Sequence, residues 1–456
     1  MGRYSVVVVG AGITGLATAH RLCADSPEIE LTIFEAGTRA GGNIRTSLFA
    51  DLAIDEAADA FLVRVPWALE LCKELGIADA LVTPKARSAS IWFDGQLRPL
   101  PTPNIMGIPL DHSTIPAGIL GTTAIKKLTG DGLPGSTLPE GDLSVGEVVR
   151  TCVGNETFER FVDVLLGGIN AGNGDDLSCQ IMAPNLLRAA HRPEGLLSTL
   201  RSEYETSDHT APVFNTHPAG MGRLVQELVG RLGNRLHLQT EVVGLEYSKN
   251  TWQIQTSSGL KTADAVVLAV PAYTASRLLD TVDLFTAESL AQIPYASVSI
   301  ASLAYRQEDL QIPKNQSGFL VPRSADLLMT ACSFVGNKWD HLNTGNHHLL
   351  RVSTGRTDDL RQTCLNDTDL EIYLARDIAH TLDTKKSPTL CRISRWPCSL
   401  PQFRPGHSEM IADIDLRLSE AAPGLSLAGA FRNGVGIPAC IRSAQEAAAA
   451  ITKDSQ

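Results

Sequence analysis

VVVVGAGITGLATAHRL, residues 6–22, places four valines before three glycines at a fixed spacing and then a helix-like run. Val6 to Val9 are β-branched without interruption, which suits a strand buried on both faces of a parallel sheet. Gly10, Gly12 and Gly15 carry the G-x-G-x-x-G spacing, with Ala11, Ile13 and Thr14 between them. The first glycine allows a tight turn, the second lets a pyrophosphate approach the backbone, and the third lets helix and strand pack closely. Leu16, Ala19 and Leu22 share one face of the following helix, whose first amides aim at the phosphate. LTIFE follows as a second strand ending at Glu35, where an acid accepts hydrogen bonds from an adenosine ribose. Strand, helix, strand and acid in register predict a bound dinucleotide. Nicotinamide and flavin dinucleotides both fit, because they share the adenosine diphosphate half.

After Glu35 the chain turns to AGTRAGGNIRT rather than a second βαβ repeat, and Gly41 and Gly42 again permit close backbone approach, with Arg45 offering a cation. DEAADAF (55–61) reads as a small-residue approach to a flat ligand, and a helix is predicted over about 66–76, ending on Gly76. SIWFDGQLRPLP predicts a hairpin around Asp94-Gly95. Residues 101–140 read as irregular, rich in Pro and Gly. Ser144 to Glu147 form an S-x-x-E capping box that opens a helical middle third through FERFVDVLLGG and MAPNLLRAA.

Further on, PAGMGRLVQELVGRL predicts a helix, HLQTEVVGLEY and TWQIQTSS a strand pair, and DAVVLAVPA a buried strand stopped at Pro271. Residues 295–335 and 348–356 alternate as an antiparallel sheet does. A helix near 368–383 and a strand ending at Trp396 come next. The chain closes with LSLAGAF, RNGVGIP and a helix over about 438–451, a second strand, glycine loop and helix. A cofactor long enough to be covered by both ends of the chain is implied.

At 456 residues the chain is long enough for two or three domains. A formal charge of -11 argues against a nucleic-acid surface, which needs clustered Lys and Arg. Nine scattered cysteines without a CxxC pair predict a reducing, cytoplasmic setting, with Cys391 and Cys398 in or beside strands. No apolar run reaches the roughly 18–20 residues of a membrane span, and the first strand begins too early for a signal peptide. IMGIPL (105–110) and IPAGILG (115–121) read as a buried corner, with a membrane-docking surface as the alternative.

GAGITG with Glu35, GGNIRT, AVPAYTASRLL and LAGAFRNGVGIPACI together resemble the FAD-containing amine oxidase and porphyrinogen oxidase superfamily. Within it, GGINAGNGDDLSCQ (167–180) and RWPCSLPQFRPGH (395–407) resemble the oxygen-dependent protoporphyrinogen or coproporphyrinogen III oxidases. The resemblance implies an α/β fold: a Rossmann-type FAD domain like that of para-hydroxybenzoate hydroxylase, an antiparallel-sheet substrate domain and a helical domain. These are expected over residues 1–80, 215–290 and 395–456, over 81–100 and 291–394, and over 101–214.

It also implies non-covalent FAD, with Gly10 to Gly15 at the pyrophosphate and Glu35 with Ala36 at the ribose. Gly42, Asn43, Arg45 and Ala58, Asp59, Ala60, Phe61 would lie beside the flavin, and Val242 on the adenine side. Trp396 would lie near the ring, with Ala430, Val435, Gly436 and Ile437 as a C-terminal cap. Gly168, Ala171 and Leu320 are the implied substrate contacts. The implied partners are a porphyrinogen and molecular oxygen, with peripheral membrane contact, a monomer or homodimer, and transient contact with a ferrochelatase as further expectations.

Animal and plant members carry an arginine just before the segment that here reads SIWFDG; this chain has Ala89. Arg64, Lys85, Arg87 and Arg98 are the nearby candidates for a propionate contact. The departure resembles the bacterial branch and favours coproporphyrinogen III, with its two additional propionates. Oxidation would pass hydride from a bridging carbon to flavin N5 and return oxygen as hydrogen peroxide, with no acid or base assigned among His112, His191, His209 and His217. A flavin amine oxidase, a carotenoid-type desaturase and a non-catalytic flavin- or porphyrin-binding protein are the alternatives.

Overall fold

A computed structural model describes residues 3–130, 138–209 and 211–454. The valine run forms strand Ser5–Val9, the centre of a five-stranded parallel sheet. Its order runs Leu236–His237, Glu30–Phe34, Ser5–Val9, Ala265–Leu268, Leu425–Leu427. Alternation explains why no valine could be polar. Val6 and Val8 point into a core with helices Ile13–Asp25, Gly222–Leu232 and Ile437–Asp454. Val7 and Val9 point into a second core, under the meander Val242–Ser248, Thr251–Thr256, Gly259–Ala263 and helices Ala272–Leu279, Leu284–Ala291 and His407–Ala421. Each fully buried valine contributes about 1.5–3 kcal/mol relative to exposure.

A seven-stranded sheet stands beside this α/β layer, in the order Leu390–Pro401, Tyr295–Arg306, His347–Thr354, Met329–Phe334, Gln316–Leu320, Ser88–Phe93, Gln96–Pro99. Its strands are antiparallel except for Ser88–Phe93, which runs parallel to Gln316–Leu320. The sheet is therefore mixed rather than purely antiparallel. The hairpin around Asp94-Gly95 forms as expected, but it joins this sheet from far away in the chain, so no turn fixes its direction.

The capping box forms: Ser144 Oγ accepts from Glu147 N, and Glu147 accepts from Ser144 N at 2.8 Å. The helix it starts, Val145–Val153, centres a largely helical third core. IMGIPL and IPAGILG contribute Ile108, Leu110, Ile119 and Leu120 to that core, so these runs form the buried corner.

Three elements differ from the sequence reading. Leu236–His237 joins the parallel sheet beside Glu30–Phe34 instead of the following hairpin, a choice made by tertiary packing over only two residues. The strand expected to end at Trp396 continues to Pro401. Thr122–Thr129 is helical within the stretch read as irregular, bounded by Gly121 and Gly130; residues 131–137 of that stretch lie outside the described residues. Among the described residues no helix is long and apolar enough to cross a membrane, and all nine cysteines are free.

Candidate active site

A cavity of about 640 Å³ opens where the carboxyl ends of the parallel strands face the seven-stranded sheet. Ligands of open α/β sheets bind in this position. Gly12, Ile13 and Thr14 line it, while Gly10, Ala11 and Gly15 shape the turn from behind. A Cβ at Gly15 would lie 1.9 Å from the Gly10 carbonyl oxygen, so only glycine lets the helix start this close to the strand. The helix Ile13–Asp25 has no side-chain cap and no acidic residue in its first turn, leaving its leading amides directed at the cavity end. Glu35 is fixed by two backbone donors, Ala11 N at 2.8 Å and Gly37 N at 2.7 Å. Ala36 is exposed on that turn. Thr240 N donates to the Glu35 carbonyl at 2.8 Å, which brings the chain toward Val242, itself buried in the core behind and off the cavity.

The second glycine pair packs directly on the first. Gly41 N donates to Ala11 O at 2.7 Å, and a Cβ on Gly42 would sit 3.1 Å from Gly12 Cα. Gly42, Asn43, Ala58, Asp59 and Ala60 line the cavity; Phe61 is core, and Arg45, which does not line the cavity, pairs with the buried Glu56 at 3.1 Å. Ala430, Val435, Gly436 and Ile437 line it from the C-terminal end, bringing the start of helix Ile437–Asp454 beside Ile13 and Thr14. Trp396 also lines it, and its indole donates to Glu56 O at 3.0 Å.

Gly168, Ala171 and Leu320 line the opposite part. Ala171 ends its helix in the left-handed region, φ 53°. The bend is held by Thr357 N on Ala171 O at 2.9 Å, by Gln402 Nε2 on Asn170 O at 3.0 Å, and by Arg323, which bonds Gly172 O and pairs with Asp163 at 2.8 Å.

Sequence reasoning missed the floor. Val298 and Ile300, Ala331 and Ser333, and Arg351 and Ser353 lie on one face of three neighbouring strands and, with Gly355 just past the end of the last, line the cavity. Their period of two was visible in the alternation at 295–335 and 348–356, but alternation does not say which face turns to a ligand.

Among the described residues, Asp59 and Arg351 are the charged side chains that line the cavity. Asp59 accepts from Lys338 Nζ at 2.8 Å and Trp339 Nε1 at 3.3 Å, and pairs with Arg351 at 3.1 Å. Burial opposes its ionisation, yet Lys338 and Arg351 outweigh burial and hold the carboxyl far below the usual range. Arg351 also bonds Ala57 O.

Behind this pair a small, largely apolar pocket is lined by Asp55, His217 and His341 as well as by Asp59 and Arg351 themselves. Burial pushes the Asp55 carboxyl up to about 6, against hydrogen bonds from Thr46 and Met221 N. The cations proposed for propionates fall elsewhere. Lys85 pairs with Asp340 at 2.6 Å, Arg64 and Arg87 are exposed, and none of these or Arg98 lines the cavity. Neither do His112, His191, His209 or His217.

Tyr273 and Tyr295 contribute an aromatic corner, meeting edge to face at 5.1 Å and 76°. Two facing aromatic walls, the arrangement an amine cage needs, are not what these rings form.

The family model for flavin containing amine oxidoreductase matches residues 13–452. The chain is 31% identical to the coproporphyrinogen III oxidase of Mycobacterium leprae (98% of each chain covered). To that of Bacillus subtilis it is 28% identical (96% of each). Among solved structures, a protein from Exiguobacterium sp. 255-15 provisionally named protoporphyrinogen oxidase superposes with a TM-score of 0.91 at 28% identity, each chain covered in full.

Proposed function

The chain belongs to the flavin containing amine oxidoreductases, and we propose that within that family it oxidises a porphyrinogen to a porphyrin in haem biosynthesis, coproporphyrinogen III in preference to protoporphyrinogen IX. It is a flavin-dependent oxidoreductase with FAD as cofactor. The residues present suit that group. The uncapped helix start, the glycine pair in mutual contact and the doubly anchored Glu35 are what a pyrophosphate and a ribose require.

When bound, FAD supplies a hydride-accepting centre and passes the electron pair to dioxygen, which leaves as hydrogen peroxide. The protein's own work in this reading is placement and exclusion. Amides of residues 12–14 would hold the pyrophosphate, Glu35 the ribose, and Ala58 to Ala60 would lie beside the flavin. Gly168, Ala171 and Leu320, with the sheet floor, would contact the macrocycle. Holding a bridging carbon close to the acceptor removes orientational entropy from the barrier, and closing out water protects the partly oxidised macrocycle. No side-chain acid or base is assigned.

The observation that carries the substrate class is the floor: a broad sheet face on which Ala331, Ser333 and Ser353, between Val298, Ile300 and Arg351, leave room for a wide ring. The reading places the reaction in the cytoplasm, where nine free cysteines stay reduced.

Its test is aerobic incubation of the FAD-loaded protein with coproporphyrinogen III, protoporphyrinogen IX or a primary amine. Porphyrin fluorescence should rise faster than in enzyme-free controls, fastest with coproporphyrinogen III, with peroxide released. Oxidation of the amine alone would overturn the reading.

A further inference from the structure

The seven-stranded sheet satisfies most of its hydroxyl groups internally. Ser90, Ser299 and Ser394 donate to the side chains of Gln316, Gln362 and Glu56 at 2.7–2.9 Å. Ser317, Thr330 and Thr354 donate to backbone carbonyls, and Ser297 and Ser302 accept from Cys398 N and from Arg392. Among the described residues, the hydroxyls of Ser333 and Ser353 have no such partner, and both residues line the cavity on the sheet floor. Arg351 faces Ser333 across the two strands but is turned to Asp59 and Ala57 O. Two other strand serines lack a partner in different settings. Ser88 is exposed at the start of its strand, and Ser399 lines the cavity with its Oγ buried away from the surface.

A ligand that covers this floor takes water from both hydroxyls. Unless it returns a hydrogen bond to each, it incurs the desolvation cost of a buried, unpaired polar group. Ser353 pairs with Ala331 and Ser333 with Arg351, so the two serines are diagonal neighbours on antiparallel strands. Such positions lie roughly 7–8 Å apart, within the span of one macrocycle.

We propose that Ser333 and Ser353 read the ring nitrogens of the substrate: their oxygens accept hydrogen bonds from pyrrole N–H groups, which makes the floor selective for a porphyrinogen over the porphyrin it becomes. The inference rests on the porphyrinogen reading of this cavity and adds to it the groups that are recognised. Every ring nitrogen of a porphyrinogen carries a hydrogen, and the saturated bridges let each pyrrole tilt, so N–H groups can point out of the mean plane toward a floor beneath. Oxidation removes half of these hydrogens and flattens the ring, and the N–H groups that remain lie in its plane. A site built to bond an N–H discriminates against a ligand that does not present one. Both porphyrinogens share this core, so the serines select oxidation state and leave the choice between the two substrates to other groups.

The test uses FAD-loaded protein carrying Ser333→Ala, Ser353→Ala or both. Neither hydroxyl has an internal partner to lose, so all three variants should retain FAD and the melting temperature of the parent. In the double variant KM should rise about tenfold for coproporphyrinogen III and by the same factor for protoporphyrinogen IX, with a smaller fall in kcat. The dissociation constant of the product coproporphyrin III, from quenching of its fluorescence on titration with protein, should change by less than about twofold. General damage to the floor would weaken substrate and product alike. Unaltered KM in the double variant, or equal weakening of substrate and product, would overturn the proposal. Failure of the unsubstituted protein to oxidise either porphyrinogen would instead sink the reading on which it rests.

Discussion

On the side proposed for the cofactor the cavity presents backbone, with Gly12 and Gly42 in contact and Gly15 packed against the Gly10 carbonyl. On the side proposed for the substrate it presents side chains from a sheet, Ala331, Ser333, Ser353 and Arg351, carried by two paired strands more than 250 positions beyond the glycine loops. The first wall recognises through main-chain donors that every residue has, so its demand on sequence is the absence of side chains. The second recognises through the size and charge of what projects, so single side chains can be exchanged there without breaking the fold. Substitutions in the first wall should therefore abolish cofactor retention and fold together. Those in the second should alter substrate handling alone.

Gly15→Val is the strongest way to break this contrast. A Cβ would overlap the Gly10 carbonyl oxygen at 1.9 Å, and the helix would have to leave the strand. Overpacking of this kind costs on the order of 3 kcal/mol, and here it also moves the phosphate-facing amides. The variant should be recovered colourless or insoluble, checked by visible absorbance and thermal unfolding. A yellow, normally stable Gly15→Val protein would show that the glycine wall is not backbone-critical.

Asp55 and Asp59 sharpen the comparison because they are four positions apart and shifted in opposite directions. Asp55 lies away from the main cavity, and its folded value of about 6 exceeds the unfolded one. The folded state therefore binds its proton more tightly. The stability this contributes is fully present below the unfolded value near 4 and is lost as pH rises through about 6, by up to roughly 3 kcal/mol. Asp59 has the reverse sign: its ionised form is favoured in the fold, and its contribution is lost as pH falls through the acid range. Asp55→Asn should thus gain stability relative to the parent between pH 4 and about 7, measured by denaturant unfolding at each pH. A pH-independent difference would remove Asp55 from the account.

On the sheet side, Ala331→Phe should leave flavin binding and melting temperature near those of the parent. The value of kcat/KM should fall about tenfold or more, roughly 1.4 kcal/mol of lost transition-state binding. Loss of flavin from this variant would mean that the two walls are not separable.

The legibility of the molecule follows the same division. The glycine wall, Glu35 and the buried valine strand are local patterns within residues 6–35, and their spacing is dictated by backbone geometry, so they could be read directly. The same holds for the capping box at Ser144 and the hairpin at Asp94-Gly95. The sheet floor draws on residues near 298, 331 and 353, whose alternation signals two faces without saying which one turns to a ligand. Lys338 and Arg351 gave no signal at all: each is an ordinary basic residue until folding brings it to Asp59. The pairing of Leu236–His237 was invisible for the same reason, since two residues carry no register of their own. Arg45 stands close in sequence to the glycine pair, and the structure adds what spacing could not show, its pairing with the buried Glu56.

The smallest expected effect concerns Lys85, one of the cations first considered for a substrate carboxylate. Proximity in sequence to SIWFDG made it a candidate, but the structure directs its ammonium to Asp340 at 2.6 Å, with both side chains about two-thirds exposed. An exposed pair gains little, because water screens the attraction and two long side chains lose freedom in forming it. Lys85→Ala should therefore change stability by less than about 0.5 kcal/mol, retain FAD, and leave KM for coproporphyrinogen III unaltered, all measured beside Ala331→Phe. A rise in KM for Lys85→Ala, present with the tetracarboxylate and absent with protoporphyrinogen IX, would extend the substrate wall beyond the cavity to the protein surface. Carboxylate recognition would then lie outside the two walls contrasted above, and the floor would select for ring shape while the rim selected for charge.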